Sequence, residues 1–125
     1  ANANPAMLEY FEAQANVILS QIENISWYNK VEKEILNNIG DKEITIELIA
    51  SNLNLGPRTL QNYLKTESKT FSTALCTVRN RLAKHYILNT NLDDITISIL
   101  LGYSEVSSFY RAYKKWNGFT PKELK

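Results

Sequence analysis

The residues of this chain that could do chemistry are concentrated between Gly102 and Pro121. Aromatic residues recur there at the i, i+4, i+7 spacing of a buried helical stripe, at Phe109, Tyr113 and Trp116. The opposite face of the same helix carries hydroxyl and basic side chains, namely Ser107, Tyr110, Arg111 and Lys114. A short basic face backed by aromatic anchors indicates contact with a negatively charged partner, and nucleic acid is the leading candidate.

The rest of the residue inventory argues against an enzyme. The chain has one histidine, His85, and one cysteine, Cys76, and no glycine-rich phosphate loop. No nucleophile–base pair and no set of metal ligands can be assembled from these residues, so we expect neither a cofactor nor a metal. Both residues are expected to be structural. A single cysteine cannot form an internal disulfide, which favours a reducing cytoplasm.

Length and composition favour one compact all-α domain or two very small ones that share a core. The chain has 125 residues, of which 44% are hydrophobic, with only four glycines and three prolines. No apolar run approaches the roughly 18–20 residues of a membrane span, so no membrane association is expected. The N-terminus lacks the pattern of a signal peptide. We expect residues 1–6 to be an expression remnant on an excised fragment and leave them out of the fold.

Charge is distributed unevenly along the chain. Residues 56–125 contain eleven Lys and Arg and five Asp and Glu, a net charge of +6. Residues 1–55 contain three basic and eight acidic residues, a net charge of −5. The small overall charge of +1 therefore hides a basic half, as expected when only one part of a protein meets phosphates.

Helical periodicity and capping residues divide the chain into segments. An amphipathic helix is predicted over 7–22, with its apolar face formed by Leu8, Phe11, Ala15, Ile18, Leu19 and Ile22. The pattern breaks at Asn24–Ser26, and Ser26 caps a second helix that ends at Gly40 and buries Trp27, Val31, Ile35, Leu36 and Ile39. After a polar connector at Thr66–Thr70, the longest helix runs from Phe71 to about Asn89, a rod of about 28 Å. A last short helix begins at the capping box Thr120–Glu123.

Residues 45–65 and 93–114 follow the same plan twice. Thr45 and Asp93 are N-caps of short helices whose apolar faces are predicted as Ile46, Ile49, Ala50 and Leu53 in the first copy and Ile95, Ile97, Leu100 and Leu101 in the second. The small residue Ala50 corresponds to Ser98, the turn residue Asn54 to Gly102, and the inward anchors Leu60 and Leu64 to Phe109 and Tyr113. A small residue followed four positions later by Asn or Gly lets two helices cross closely. This is the helix-turn-helix pattern, whose second helix enters the major groove of DNA.

With these residues the chain strongly resembles the DNA-binding domain of the AraC/XylS family of bacterial transcription regulators, over roughly residues 27–125. The resemblance is carried by Gly102-Tyr103-Ser104-Glu105, Phe109, Arg111-Ala112-Tyr113, Trp116, Gly118 and Thr120-Pro121, and in the first unit by residues Leu55 to Gln61. It implies seven helices and two helix-turn-helix subdomains joined by a long central helix. The expected boundaries are a linker helix within 1–25, a first subdomain at 26–70, the connecting helix at 71–90 and a second subdomain at 91–125.

The resemblance also implies partners and a cellular role. These are operator or promoter DNA in the cytoplasm, RNA polymerase, a role such as transcription activation, and an N-terminal sensor or dimerisation domain that is absent from this chain. The recognition helices would lie at about 57–66 and 105–117 and read adjacent major-groove segments. By family position, base contacts are expected from Arg58, Gln61, Asn62, Val106, Ser107 and Arg111. Backbone contacts are expected from Thr59, Lys65, Ser108 and Lys114.

Two departures from the family and one alternative function stay open at this point. The family often has Ser at the position of Gly56 and Arg at that of Asn62, which implies a weaker grip by the first unit, although the Asn62 amide could pair with adenine. The alternative is a helical interaction module whose basic face meets an acidic protein. Competition between a specific duplex and random DNA separates the two functions.

Arg79, in the middle of the rod, is expected to pair with an acidic neighbour rather than with phosphate.

Overall fold

The computed structural model describes residues 5–20 and 26–124, without the side chains of 15–20. This part of the chain forms eight helices and no strand, which confirms the all-α prediction. The helices are α1 (Pro5–Ser20), α2 (Trp27–Asn38), α3 (Ile46–Asn52), α4 (Pro57–Thr66), α5 (Phe71–Asn89), α6 (Asp94–Leu100), α7 (Val106–Asn117) and α8 (Pro121–Leu124). Within the described ranges, none of them is long and apolar enough to cross a membrane.

Helix α5 is the element that the other helices share. It packs against α1 and α2, which precede it in the chain, and against α7 and α8, which follow it. Its buried residues are Ala74, Val78, Leu82, Ala83, Tyr86 and Ile87. α3 packs on α4 and on α2, whereas α6 packs on α7. The buried side chains form one apolar cluster, in which α7 packs on α5 directly and the α3–α4 pair is joined to α5 through α2.

Side-chain caps begin the helices where the sequence places them. The side-chain oxygens of Ser26, Thr45 and Asp93 each accept a hydrogen bond from the backbone N–H three residues on, at 3.1, 3.1 and 2.7 Å. At α8 the backbone N–H of Thr120 donates to Glu123 Oε2 at 2.9 Å, one half of a capping box. These bonds satisfy N–H groups that a helix start leaves without a partner, and they confirm the predicted starts.

The turns α3–α4 and α6–α7 are built by the same backbone hydrogen bonds. The N–H of Leu55 donates to the carbonyl of Ala50, and that of Tyr103 donates to the carbonyl of Ser98, at 2.9 Å in both. One residue earlier, Asn54 and Gly102 donate to the carbonyls of Ser51 and Ile99, at 3.0 Å in both. This pair of bonds is the Schellman motif, which closes a helix on a left-handed residue. The sequence repeat is therefore a structural repeat.

The left-handed residue of each turn is the one that the sequence predicts. Asn54 has φ 61° and Gly102 has φ 91°. Side-chain bulk opposes this conformation, and Asn tolerates it better than most residues do. Ala50 and Ser98 are buried where the paired helices cross, and the Ser98 hydroxyl donates to the carbonyl of Ile95 at 2.7 Å, which leaves no unpaired donor there.

The start of the chain differs from the prediction in two ways. α1 begins at Pro5, and the Ala6 carbonyl lies 2.9 Å from His85 Nε2, so leaving residues 1–6 out of the fold was wrong for Pro5 and Ala6. α1 buries Met7 and Tyr10 and packs the predicted Phe11 against the core, whereas Leu8 is 53% exposed, so the prediction was wrong at Leu8. Because adjacent helical stripes are both apolar here, periodicity alone cannot choose between them.

The helix predicted over 7–22 extends beyond the described residues. Residues 1–4 and 21–25, and with them Ile22 and Asn24, lie outside the described residues, as do the side chains of Ala15, Ile18 and Leu19.

In α6, Ile95 was assigned to the apolar face but is 61% exposed. Ile97, Ser98 and the cap residue Leu101 are the buried positions, and Leu100 is half-buried. α6 has seven residues, about two turns, so only a narrow stripe can reach the core. The assignment of Ile95 was therefore wrong.

Gly102→Ala should lower the free energy of unfolding by about 1–2 kcal/mol, because a Cβ is strained at positive φ. The added Cβ would also lie 3.4 Å from Arg79 Nη2. Urea denaturation followed by circular dichroism measures the change. Gly102→Asn is the matched control and should lose less, since Asn54 occupies the same conformation in the first turn. Equal stability of Gly102→Ala and the parent chain would contradict the explanation by backbone strain at residue 102.

Candidate nucleic-acid interface

Helix α4 presents a polar face whose direction is set by two buried leucines. Leu60 and Leu64 are fully buried, in agreement with the sequence. The side chains predicted to contact DNA from this helix are all exposed: Arg58, Thr59, Gln61, Asn62 and Lys65. α4 begins with Gly56 as N-cap and Pro57 at its first position, as predicted, without a side-chain capping bond.

Helix α7 repeats this arrangement with aromatic anchors. Phe109 and Tyr113 are fully buried and Trp116 is half-buried. The exposed face carries Ser107, Tyr110, Arg111 and Lys114, as the spacing predicts. Burial raises the pKa of the Tyr113 hydroxyl.

Two of the predicted α7 residues are less available than the others. Val106 is half-buried and packs against the core. Ser108 is also half-buried, and its hydroxyl accepts a hydrogen bond from Arg111 Nη2 at 3.3 Å. The Arg111 guanidinium thereby lies along the helix surface.

Tyr110 is exposed, but its hydroxyl is engaged within the protein. It donates to Asp94 Oδ2 at 2.7 Å and so joins α7 to the first turn of α6. This hydrogen bond, with smaller effects of burial and of the Asp94 charge, raises the pKa of Tyr110 to about 12. The hydroxyl therefore stays protonated at neutral pH, and Tyr110 helps to set the angle between α6 and α7.

The end of α4 is fixed by a residue that sequence reasoning missed. Glu67 follows α4, and its two carboxylate oxygens accept hydrogen bonds from the backbone N–H groups of Trp27 and Tyr28, at 2.9 and 3.0 Å. A carboxylate at the N-terminus of α2 is favoured by the helix dipole and by the free N–H groups there. Tyr63 of α4 also stacks on Trp27, with ring centroids 4.8 Å apart. No local sequence pattern connects residues forty positions apart.

The prediction that Arg79 pairs with an acidic neighbour is wrong. Arg79 Nε donates to the carbonyl of Leu101 at 3.0 Å, and the guanidinium lies 4.6 Å from the centre of the Tyr103 ring. The acidic partner belongs to Arg81, whose Nη1 lies 3.2 Å from Glu32 Oε1. Both arginines lie on α5, but only Arg79 faces the α6–α7 turn.

Known proteins similar to this chain identify its family. A family model described as a helix-turn-helix domain matches residues 49–125. The chain belongs to the AraC/XylS family. It is 32% identical over 126 residues to the ornithine utilization regulator of Pseudomonas aeruginosa, covering 100% of this chain and 37% of that protein. It is 30% identical over 106 residues to the virulence regulon transcriptional activator VirF of Shigella flexneri, covering 85% of this chain and 40% of VirF.

Solved structures give the same result for the AraC/XylS fold. A DNA-binding transcriptional dual regulator from Escherichia coli K-12 aligns with a TM-score of 0.75 and 29% identity, over 80% of this chain and 89% of that one. The transcriptional regulator CdpR from Pseudomonas aeruginosa aligns with a TM-score of 0.70 and 25% identity, over 82% of this chain and 32% of CdpR. The chain thus spans little more than a third of the length of the curated relatives named above.

Membership of the AraC/XylS family fixes the broad function. The family consists of DNA-binding transcription regulators and not of enzymes. The single histidine and the single cysteine have structural surroundings. His85 contacts α1, and Cys76 is half-buried in α5. Within residues 5–20 and 26–124, no group of three or more His, Cys, Asp or Glu could hold a metal ion.

Gly56→Ser should raise the free energy of unfolding by about 0.5–1 kcal/mol, through a capping hydroxyl and a less flexible unfolded chain. Gly56 has φ −76° and ψ 154°, which serine adopts without strain, and a Cβ there would meet no atom within 4 Å. The measurement is the midpoint of urea denaturation. Gly56→Ala, which cannot cap, is the control and should fall below Gly56→Ser. If the two variants were equally stable, the capping explanation would be wrong.

Proposed function

We propose that this chain binds one DNA duplex through two recognition helices, with α4 and α7 in successive major-groove segments. The observation that carries the proposal is the repeated turn, which supports an exposed polar face on α4 and another on α7. α5, which packs against elements of both units, is 19 residues and so about 28 Å long. Successive major-groove segments on one side of B-DNA lie about 34 Å apart, a separation that a rod with a helix unit at each end can span.

Base recognition is assigned to the exposed side chains that can make paired hydrogen bonds. Arg58 and Arg111 suit the O6 and N7 acceptors of guanine, and Gln61 and Asn62 suit the N6 and N7 atoms of adenine. Ser107 contributes a hydroxyl that can donate or accept. Because Arg111 bonds only weakly to Ser108 across an exposed surface, it can turn to a base edge at small cost. Val106, half-buried at the start of α7, would touch a thymine methyl with its outer atoms.

Phosphate contacts are assigned to Thr59 and Lys65 of the first unit and to Ser108 and Lys114 of the second. Such contacts fix the register of a protein on DNA and make its affinity depend on salt. Thr59, Lys65 and Lys114 are exposed, which supports this role. Asn62 in place of the arginine common in the family reduces the charge of the first unit, so we expect α7 to contribute more of the salt dependence.

We propose further partners besides DNA. We propose a separate sensor or dimerisation domain, since the chain covers only 37% of the ornithine utilization regulator. RNA polymerase is the proposed partner at the promoter, and the cytoplasm is the proposed location. We further propose the boundaries at 26–70, 71–90 and 91–125, which follow the helix pairs and the central helix.

Selection of duplexes from a random pool tests the function directly. We expect enriched sequences to contain two half-motifs with their centres about 10 base pairs apart, one for each recognition helix. Bound specific duplex should resist competition by random DNA. Equal displacement by random DNA, or displacement by an acidic polypeptide alone, would favour the protein-interaction module instead. A single enriched half-motif would contradict the use of both helices.

Arg111→Ala should weaken binding to the selected duplex by roughly 5- to 150-fold and relax base preference at one position of the second half-motif. Fluorescence anisotropy on the selected duplex and on point variants of it measures both effects. Lys114→Ala is the matched comparison on α7 and should weaken all sequences alike, with a smaller salt slope. Lys33→Ala, an exposed charge on α2, controls for loss of net charge. Uniform weakening by Arg111→Ala would make Arg111 a phosphate contact.

A further inference from the structure

Two adjacent residues of α5 hold the two ends of α7. Arg79 contacts the turn before α7, through its hydrogen bond to the Leu101 carbonyl and its stacking on Tyr103. Asn80, the next residue, forms a reciprocal amide pair with Asn117, the last residue of α7. Asn117 Nδ2 donates to Asn80 Oδ1 at 2.8 Å, and Asn80 Nδ2 donates to Asn117 Oδ1 at 3.3 Å.

The amide pair is directional in a way that apolar packing is not. Two opposed hydrogen bonds between planar amides fix a distance and an angle, whereas apolar contacts tolerate sliding. Asn117 Nδ2 also donates to the Tyr113 carbonyl at 3.1 Å, so its side chain is fixed to α7 itself. Asn80 and Asn117 are both half-buried, where competition from water is reduced. The pair therefore transmits the orientation of α5 to α7.

Helix α4 is held by a different partner. Glu67 and Tyr63 connect it to the start of α2, through the carboxylate bonds and the stack on Trp27. α2 in turn packs on α5. The orientation of α7 relative to α4 consequently depends on how α5 holds α7. Apolar packing contributes to that contact, and Arg79, Asn80 and Asn117 make the hydrogen bonds named above.

We propose that Arg79, Asn80 and Asn117 are positioning residues that determine which spacing of half-motifs the protein accepts. The proposal rests on the two-helix function above. One inserted base pair moves the second half-motif by about 3.4 Å along the duplex and rotates it by about 35°. A fixed α7 cannot follow that displacement, so the DNA must deform to be bound. An α7 released from α5 adjusts instead, and discrimination between spacings falls.

The test uses a set of duplexes carrying both selected half-motifs at the selected spacing and with one or two base pairs added or removed. The unaltered chain should lose roughly tenfold or more in affinity for one added base pair, because the duplex must twist. Asn117→Ala should reduce that loss to about threefold or less. Its affinity for a duplex carrying the second half-motif alone should stay unchanged, because the exposed face of α7 keeps its side chains.

Three further variants test whether the effect is specific to the Asn80–Asn117 pair. Asn38→Ala removes an amide that donates to the Glu34 carbonyl of its own helix, at 2.7 Å, and should keep the spacing profile of the unaltered chain. Asn80→Ala should reproduce the profile of Asn117→Ala, and the double variant should add nothing to either. Thermal unfolding followed by circular dichroism verifies the fold. If Asn117→Ala lost its cooperative transition, Asn80→Ala and Arg79→Lys would carry the same measurement.

The outcomes separate this proposal from the one on which it rests. If the unaltered chain binds all spacings alike or selects one half-motif, the two-helix function itself fails. If the unaltered chain discriminates steeply and both asparagine variants discriminate equally steeply, the function stands and the positioning role is overturned. A flatter spacing profile for Asn38→Ala as well would trace the effect to general loss of stability. That result would also overturn the positioning role.

Discussion

The fold depends on a tight turn that brings two helices together at a small residue, and the chain makes this turn twice. In each copy the backbone N–H two residues after the helix cap reaches back to the carbonyl of the small residue, from Leu55 to Ala50 and from Tyr103 to Ser98. The geometry requires a left-handed residue between the helix cap and the donor residue, and Asn54 and Gly102 provide it. Once the turn is closed, the buried anchors of the second helix determine which face remains exposed.

The exposed faces of α4 and α7 combine cations with amides and hydroxyls, which is the chemistry that base edges and phosphates require. A basic half such as residues 56–125 attracts polyanions without regard to sequence. Hydrogen bonds from particular side chains are needed for discrimination between sequences. An exposed polar group on α7 can also have a structural role. The Tyr110 hydroxyl is engaged by Asp94 and supports the α6–α7 angle.

Some of the polar contacts between elements lie at the ends of α4 and α7. Glu67 joins α4 to the start of α2, while Arg79 and Asn80 join α5 to the two ends of α7. Apolar burial provides most of the stability of such a cluster but little directional information. Directional bonds at half-buried sites fix the angle between helices that have already been brought together.

Much of this protein followed from the sequence because the responsible interactions are local. Caps act over three residues, the turn over six and a helical stripe over one or two turns, so Ser26, Thr45, Asp93, Asn54 and the anchors Leu60 and Phe109 were placed correctly. The same reasoning failed at Leu8 and Ile95, where more than one apolar stripe was available and only the packing partner selects between them. The tertiary structure alone decided the partners of Glu67, Arg79 and Asn117. Those bonds join residues between 22 and 40 positions apart, and no pattern within one helix records what lies opposite it.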